Sequence, residues 1–335
     1  MHLPTRAIGP FTVSPIGLGC MNLSHAYPAL PSEANGMALL THALDSGCTF
    51  FDTAAIYGTG ANEQLVAKAI GHRRSEFTLA SKCVLDLVDG KRVLNGRPEV
   101  IKATCERALK RLDTDVIDLY YMHRLDKTVP IEESIGAMAE LVTEGKIRAI
   151  GLSEMSAETI RRAHDVHPIA ALQSEYSPVV RNPEVAVLDL CDALGITFVS
   201  FSPVARGLLA GAITKGNYEA GDIRIDMPRF TGDNLAANLV LVARYNAIAA
   251  EVGITPAQLS LAWVLAQRPT LVTIPGTRSI AHFDENMAAT AITLDDATLA
   301  KIDALLPANA LSGARYAMSM QLQIDTELLP NEQLA

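Results

Sequence analysis

A chain of 335 residues, 49% hydrophobic and 19% charged, has ample material for a buried core. Its length suits one barrel-type domain spanning residues 1–335. The formal net charge of −9 leaves no basic face for nucleic acid or an anionic membrane, so function is expected in a local site.

The N-terminal stretch lacks a secretory apolar run, and no segment approaches the roughly 18 consecutive apolar residues that span a bilayer. Cys20, Cys48, Cys83, Cys105 and Cys191 are scattered and never in C-x-x-C spacing. That pattern suits reduced thiols, and the cytoplasm is the expected compartment.

Residues before Pro15 are expected to form a small hairpin closing the lower end of the fold. Short apolar runs follow at 15–19, 49–53, 77–82, 117–123, 148–153, 171–175, 197–202 and 271–275. Several are too continuously apolar for a half-exposed sheet and suit parallel strands covered by helices. Helical patterns fill the gaps. Ile101, Cys105, Ala108, Leu109 and Leu112 recur at helical spacing, as do Ile131, Ile135, Met138 and Val142. Gly145 is placed to end the second of these helices in a left-handed conformation. Thr255-Pro256-Ala257-Gln258 reads as a capping box with proline at the first helical position, and an apolar stripe of Leu259, Ala262, Trp263 and Ala266 follows.

Eight strands alternating with helices predict an α/β fold, a (β/α)8 TIM barrel with an N-terminal β-hairpin. The alternative is a doubly wound open sheet, but no G-x-G-x-x-G follows the first strand. The longest connections, 205–232 and 311–335, are candidates for covering and shaping a pocket.

In a barrel the active site sits at the C-terminal ends of the strands. Three consecutive apolar runs end in Asp52, Lys82 and His123, and Tyr57 follows Asp52 by five residues. A free phenol, with a pKa of about 10, is a poor proton donor at neutral pH. A neighbouring ammonium lowers that value, and a carboxylate fixes the ammonium in place. Such a phenol protonates a developing alkoxide, while a histidine orients the carbonyl. Reduction by an external hydride fits all four groups.

Each group also has a plainer reading. Asp52 alone suits a cap and Lys82 alone a barrel-end ion pair, but four correct types in order argue against coincidence. Tyr120 and Tyr121 read as strand filler, and Asn62 and Glu63 as helix-start residues with at most an indirect effect on Tyr57. His164 and His167 lie three apart on a helix without a carboxylate in ligand spacing, so a solvated face is expected.

The run Phe51-Asp52-Thr53-Ala54-Ala55-Ile56-Tyr57-Gly58 with Asn62-Glu63 resembles the aldo-keto reductase signature, and Lys82 and His123 fall where that family keeps its Lys and His. The likeness continues through Gly151-Leu152-Ser153-Glu154, Gln173-Ser174-Glu175-Tyr176-Ser177, Phe201-Ser202-Pro203 and Ile274-Pro275-Gly276-Thr277-Arg278 to Glu285-Asn286. The resemblance implies NADPH extended across the barrel mouth and a small-molecule aldehyde or ketone as substrate. Ser153 and Gln173 would hold the nicotinamide carboxamide, and Phe201 would stack on the ring. Ser202, Pro203, Gly207 and Leu208 would lie along the pyrophosphate. Gly276 would also bind the cofactor, Arg278 would meet its 2′-phosphate, and Glu285 with Asn286 would hold the adenine end.

Two departures stand out. Glu154 replaces a commoner Asn, and His282 lies where some members have a second Arg. Glu154 is expected to accept from the carboxamide NH2, leaving Ser153 to donate to the carboxamide oxygen. The rival reading turns it toward a neighbouring cation or the helix beginning near Ser156.

Against a reductase stand a nucleotide-binding, redox-sensing regulatory subunit and a metal-dependent barrel hydrolase. The intact tetrad disfavours the first and the missing ligand cluster the second. The substrate pocket is expected among Asn22, Ile56, the loop 84–93 and the C-terminal segment. The sequence names neither the particular carbonyl compound nor the number of subunits.

Overall fold

The chain opens with the expected antiparallel hairpin, β1 (Arg6–Ile8) and β2 (Phe11–Val13). The computed structural model describes residues 4–330, 332 and 334, so residues 1–3, 331, 333 and 335 of the expected domain lie outside the described residues. The hairpin packs at the N-terminal ends of the strands that follow. Thr197, opening one strand, donates its hydroxyl to Ala7 O at 2.9 Å, and Arg6 Nη2 donates to Leu265 O at 3.0 Å.

Eight strands then share one parallel sheet: β3 (Leu18–Gly19), β4 (Phe50–Asp52), β5 (Thr78–Cys83), β8 (Ile117–Met122), β9 (Ile147–Ser153), β10 (Ile169–Glu175), β11 (Thr197–Phe201) and β12 (Val272–Thr273). Each pairs with its sequence neighbour in the sheet. The two edges meet: Ile16 and Gly19 bridge in parallel to Thr273 and Gly276, and Gly17 N–H donates to Thr273 O at 2.8 Å. Closure makes this a barrel and removes the open-sheet alternative.

The seam is narrow. Its strands are shorter than the predicted runs 15–19 and 271–275, because Pro15 and Pro275 have no N–H to give a ladder. A Cβ on Gly19 would lie 2.7 Å from Ile274 O, so only glycine lets the edges approach.

The helices cover the outside: α1 (Glu33–Asp45), α2 (Ala61–Ile70), α3 (Pro98–Leu112), α4 (Ile131–Thr143), α5 (Ala157–Val166), α6 (Val187–Leu194), α7 (Gly232–Val252), α8 (Pro256–Gln267), α9 (Ile280–Ala288), α10 (Asp296–Leu305) and α11 (Met318–Gln321). The helical periodicity buries what it predicted, with Ile101, Cys105, Ala108, Leu109 and Leu112 of α3 all inside. Gly145 takes φ +73° after α4, and Thr255 and Gln258 form the reciprocal capping box of α8. By length and composition α7 is apolar enough to cross a membrane. Here Leu235, Val242, Tyr245 and Ile248 of that helix are buried in the core.

The segment 84–93 is not the loop expected. It is a second hairpin, β6 (Leu85–Val88) paired with β7 (Lys91–Leu94). Asp89-Gly90 at its tip takes φ +51° and +74°, the pair of left-handed residues that a two-residue turn needs to match strand twist.

Candidate active site

The barrel brings Asp52, Lys82, Tyr57 and His123 together at its C-terminal rim. Asp52 ends β4, Lys82 lies one residue from the end of β5, and His123 follows β8. Tyr57 opens a 3-10 turn, Tyr57–Gly60, whose left-handed Gly58, Thr59 and Gly60 reverse the chain into α2. All four side chains are at most 8% exposed.

Lys82 pairs with Asp52 and also donates to Thr53 O at 2.9 Å, while its Nζ lies 3.5 Å from the Tyr57 hydroxyl. Gln173 Nε2 donates to the second Asp52 oxygen at 2.7 Å. The His123 ring stands edge-on to Tyr57, with centroids 6.0 Å apart.

Asn62 and Glu63 do more than begin α2. Both are fully buried. Asn62 accepts from Thr53 Oγ1 at 2.6 Å and donates to Cys20 O at 2.8 Å; Glu63 accepts from Ser81 Oγ at 2.6 Å and pairs with Arg111. Each locks a residue beside Asp52 or Lys82, which fixes the strand ends under Tyr57.

Burial pushes the Tyr57 phenol above its ordinary range, and Lys82 pulls it only part of the way back. The lowered phenol pKa expected from sequence is therefore not what the protein alone produces: desolvation of phenolate outweighs an ammonium at 3.5 Å. Burial also disfavours the Lys82 charge, but Asp52 and Tyr57 outweigh it and hold the ammonium above its usual range. His123 falls well below the usual imidazole range through burial, then Arg124 and Lys82, so its ring is neutral.

From Tyr57 a cleft of about 520 Å³ runs across the barrel mouth. Asp52, Tyr57 and His123 line one end, and Lys82 lies beneath them. Ser153, Gln173, Phe201, Ser202, Pro203 and Gly207 line the middle; Gly276, Arg278, Glu285 and Asn286 line the far end, with His282. Leu208 is the exception among the expected residues: it is buried in the core and off the wall.

Arg278 Nη1 donates to Pro28 O at 2.6 Å and Ala29 O at 2.8 Å. Sequence reasoning did not single out Arg92, Arg124, Arg206 or Arg224, although three of them lie in the segments 84–93 and 205–232 expected at the pocket; all four line the cleft. Together with Arg278 they make it cationic in a chain of net charge −9. For Arg124 the available signal was its adjacency to His123.

Glu154 does not face the cleft. At φ +54° and fully buried, it accepts from Glu175 N–H at 2.7 Å and from Arg315 Nη2 at 2.9 Å. Pairing with a neighbouring cation therefore replaces the expected carboxamide contact. The helix near Ser156 takes its cap from Ser156 itself and from Asp325, which accepts from Ser156 Oγ at 2.9 Å.

Next to Glu154, Glu175 takes both nitrogens of Arg206 and the Tyr316 hydroxyl at 2.7 Å. Burial opposes the Glu175 charge, but Arg206 and Arg315 outweigh it and hold the carboxyl at about 2. His164, one of the two helix histidines, accepts from Ile169 N–H at 3.2 Å.

Residues 15–307 match the sequence model of the Aldo/keto reductase family. The chain is similar to the aldo-keto reductase yakc [NADP(+)] of Schizosaccharomyces pombe, 42% identical over 98% of this chain and 100% of that protein. It is also similar to the aldo-keto reductase str7 of Strobilurus tenacellus, 40% identical over 98% and 100%. Among solved structures, the glycerol dehydrogenase of Gluconobacter oxydans superposes with a TM-score of 0.84 at 27% identity, covering 91% of this chain and 96% of that one. An aldo/keto reductase of Klebsiella pneumoniae in complex with NADP and acetate gives 0.71 at 29% identity, over 95% and 100%.

Proposed function

The chain belongs to the aldo/keto reductase family, and on that premise we propose that it is an NADPH-dependent reductase of small aldehydes or ketones, with Tyr57 as general acid. The observation that carries this reading is the buried chain Asp52–Lys82–Tyr57 ending at an open cleft beside a neutral His123.

The cleft suits a multiply anionic dinucleotide. Of the five arginines on it, Arg206 and Arg224 are paired with Glu175 and Asp222; the other three outnumber its two carboxylates, Asp52 and Glu285, the first of which Lys82 already answers. The left-handed run Ala205, Arg206 and Gly207 is strained backbone of the kind that collects at binding sites. Arg278 at the far end suits a 2′-phosphate, since its guanidinium holds only backbone carbonyls. With Glu154 turned away, Ser153 and Gln173 are left to hold the carboxamide. Gln173 spends its NH2 on Asp52 and keeps its carbonyl oxygen to accept.

When bound, the cofactor supplies the hydride; the chain orients the substrate and moves the proton. Neutral His123 donates a ring N–H to the substrate oxygen. Tyr57 holds its proton until an alkoxide, a stronger base than phenolate, develops beside it. Lys82 then stabilises the phenolate that remains, and Asp52 keeps Lys82 in place. All five cysteines are buried and unpaired, which supports a reducing compartment such as the cytoplasm.

The test is multiple-turnover NADPH oxidation with a panel of aldehydes and ketones, followed at the reduced-nicotinamide absorbance band and repeated with NADH. Turnover with NADPH is expected. Tight nucleotide binding without turnover on any carbonyl would overturn the reading in favour of a regulatory subunit.

A further inference from the structure

At the Tyr57–His123 end of the cleft two guanidinium groups stand without an acid. Arg124 is 8% exposed; its Nη1 donates to the His123 carbonyl at 2.6 Å and to Ser153 Oγ at 3.1 Å. Arg92 reaches the same wall from β7. The other arginines on the cleft are answered by the protein itself: Arg206 by Glu175, Arg224 by Asp222, and Arg278 by two carbonyls.

Among the described residues neither Arg92 nor Arg124 has an ion pair. The one carboxylate on this end of the wall, Asp52, is already shared between Lys82 and Gln173. The histidines give no relief, since burial keeps His123 neutral and lowers His25. The chain has 37 acidic residues, and among the described residues no further one lines this end of the cleft.

Arg124 is buried, and an uncompensated buried charge costs several kcal/mol unless something answers it; Arg92 is exposed on β7. The two guanidinium groups also oppose each other: partial desolvation by the surrounding wall lowers Arg92 first, and the charge of Arg124 next. Both act on the reaction end rather than the phosphate end, for each has an electrostatic hold on His123. Between them and Tyr57 the wall is apolar, with Met21, Ile56 and Leu85.

We propose that the carbonyl substrate carries an oxyanion group, carboxylate or phosphate, seated between Arg92 and Arg124 while its carbonyl meets Tyr57 and His123. This rests on the reductase reading and names its substrate class: a short apolar body with a carbonyl at one end and an anion at the other. Guanidinium forks suit either oxyanion in bidentate geometry.

The test compares kcat/KM for 4-carboxybenzaldehyde against its methyl ester, and for glyceraldehyde 3-phosphate against glyceraldehyde. It uses the wild type, Arg92→Gln and Arg92→Lys. The wild type is expected to prefer the charged member of at least one pair by roughly tenfold or more, the scale of one charge-assisted contact. The preferred pair tells carboxylate from phosphate. Arg92→Gln should remove most of that preference, chiefly through KM, and Arg92→Lys should keep part of it.

Two results overturn the proposal: no preference for charge in either pair, or equal losses for charged and neutral substrates in Arg92→Gln. The second would mean that Arg92 tunes Tyr57. If no carbonyl is turned over, the reductase reading fails separately. Calorimetric titration of benzoate and inorganic phosphate then decides the anion site alone. Binding weakened about tenfold in Arg92→Gln supports it; unchanged or undetectable wild-type binding ends it.

Discussion

Two buried charge clusters stand side by side on the C-terminal rim of the barrel. One joins Asp52 of β4 and Lys82 of β5 to Tyr57; the other joins Glu154 and Glu175, at the ends of β9 and β10, to Arg206, Arg315 and Tyr316. Both are almost fully buried, and both hold groups displaced from their ordinary pKa. They differ in how they end. In the second, all four carboxylate oxygens are taken by Arg206, Arg315, Tyr316 and a backbone N–H, and it reaches the cleft only through Arg206 and Tyr316, both held by Glu175. The first runs out onto a phenol and an imidazole that face the same cleft. Burial and perturbed ionisation therefore do not by themselves mark chemistry. A charge chain that delivers a proton donor to an open cleft does.

The sharpest way to break that distinction is Tyr57→Phe. Removing one hydroxyl from the open cluster should cost about 10²–10⁴ in kcat, the range of a positioned general acid, while the melting temperature and NADPH affinity stay near wild type. A variant that kept most of its turnover on a chemistry-limited substrate would remove Tyr57 from the mechanism.

Glu175→Leu should behave in the opposite way. It strands Arg206, whose only carboxylate partner among the described residues is Glu175, while Arg315 keeps Glu154, and should lower stability by about 3–5 kcal/mol in urea unfolding. The closed cluster also has a pH signature. With its folded carboxyl held at about 2, Glu175 contributes its full stabilisation above the unfolded value of about 4.3 and loses it as pH falls toward 2. Acid unfolding of Glu175→Gln should therefore be less steep across that window than in the wild type.

A smaller effect is expected at the far end of the cleft. Arg278→Ala should weaken NADPH binding by roughly 1.5–3 kcal/mol, about ten- to a hundredfold, and NADH binding little. Equal losses for both nucleotides in a binding titration would make Arg278 a tether for the 28–29 backbone it holds.

The smallest concerns the hairpin that carries Arg92. A Cβ at Gly90 meets nothing within 4 Å, so Gly90→Ala isolates the backbone cost of φ +74°, about 1 kcal/mol. Faster hydrogen exchange confined to 85–94 is expected, with Tyr57 chemistry on neutral aldehydes intact.

The barrel was legible because each strand is an apolar run ended by a polar residue, and each helix shows its period and caps. The four rim residues were legible for the same reason, since an Asp, Lys or His closing such a run is conspicuous. Glu154 was misread because its partner, Arg315, lies 161 residues away, and no local pattern announces so distant a cation. The Tyr57 phenol was misjudged because sequence shows a charge nearby but not the depth at which both are buried. Arg92 was hidden by an Asp-Gly turn between strands of only four residues, and Leu208 by a left-handed turn just before it that changes which side chains meet the wall.

The narrow seam between β3 and β12 bears on how the molecule assembles. Ile16 and Thr273 stand near opposite ends of the chain, and their bridge is among the few that close the cylinder. Every other pair in the parallel sheet joins sequence neighbours, most of them separated by one helix and only β11 and β12 by two, α7 and α8, so those pairs form with less loop entropy. Closure of the seam demands the most remote encounter in the sheet for a few backbone hydrogen bonds in return. On loop-closure grounds this pairing is expected to form late in folding, once the curved sheet already holds its first and last strands within reach of each other.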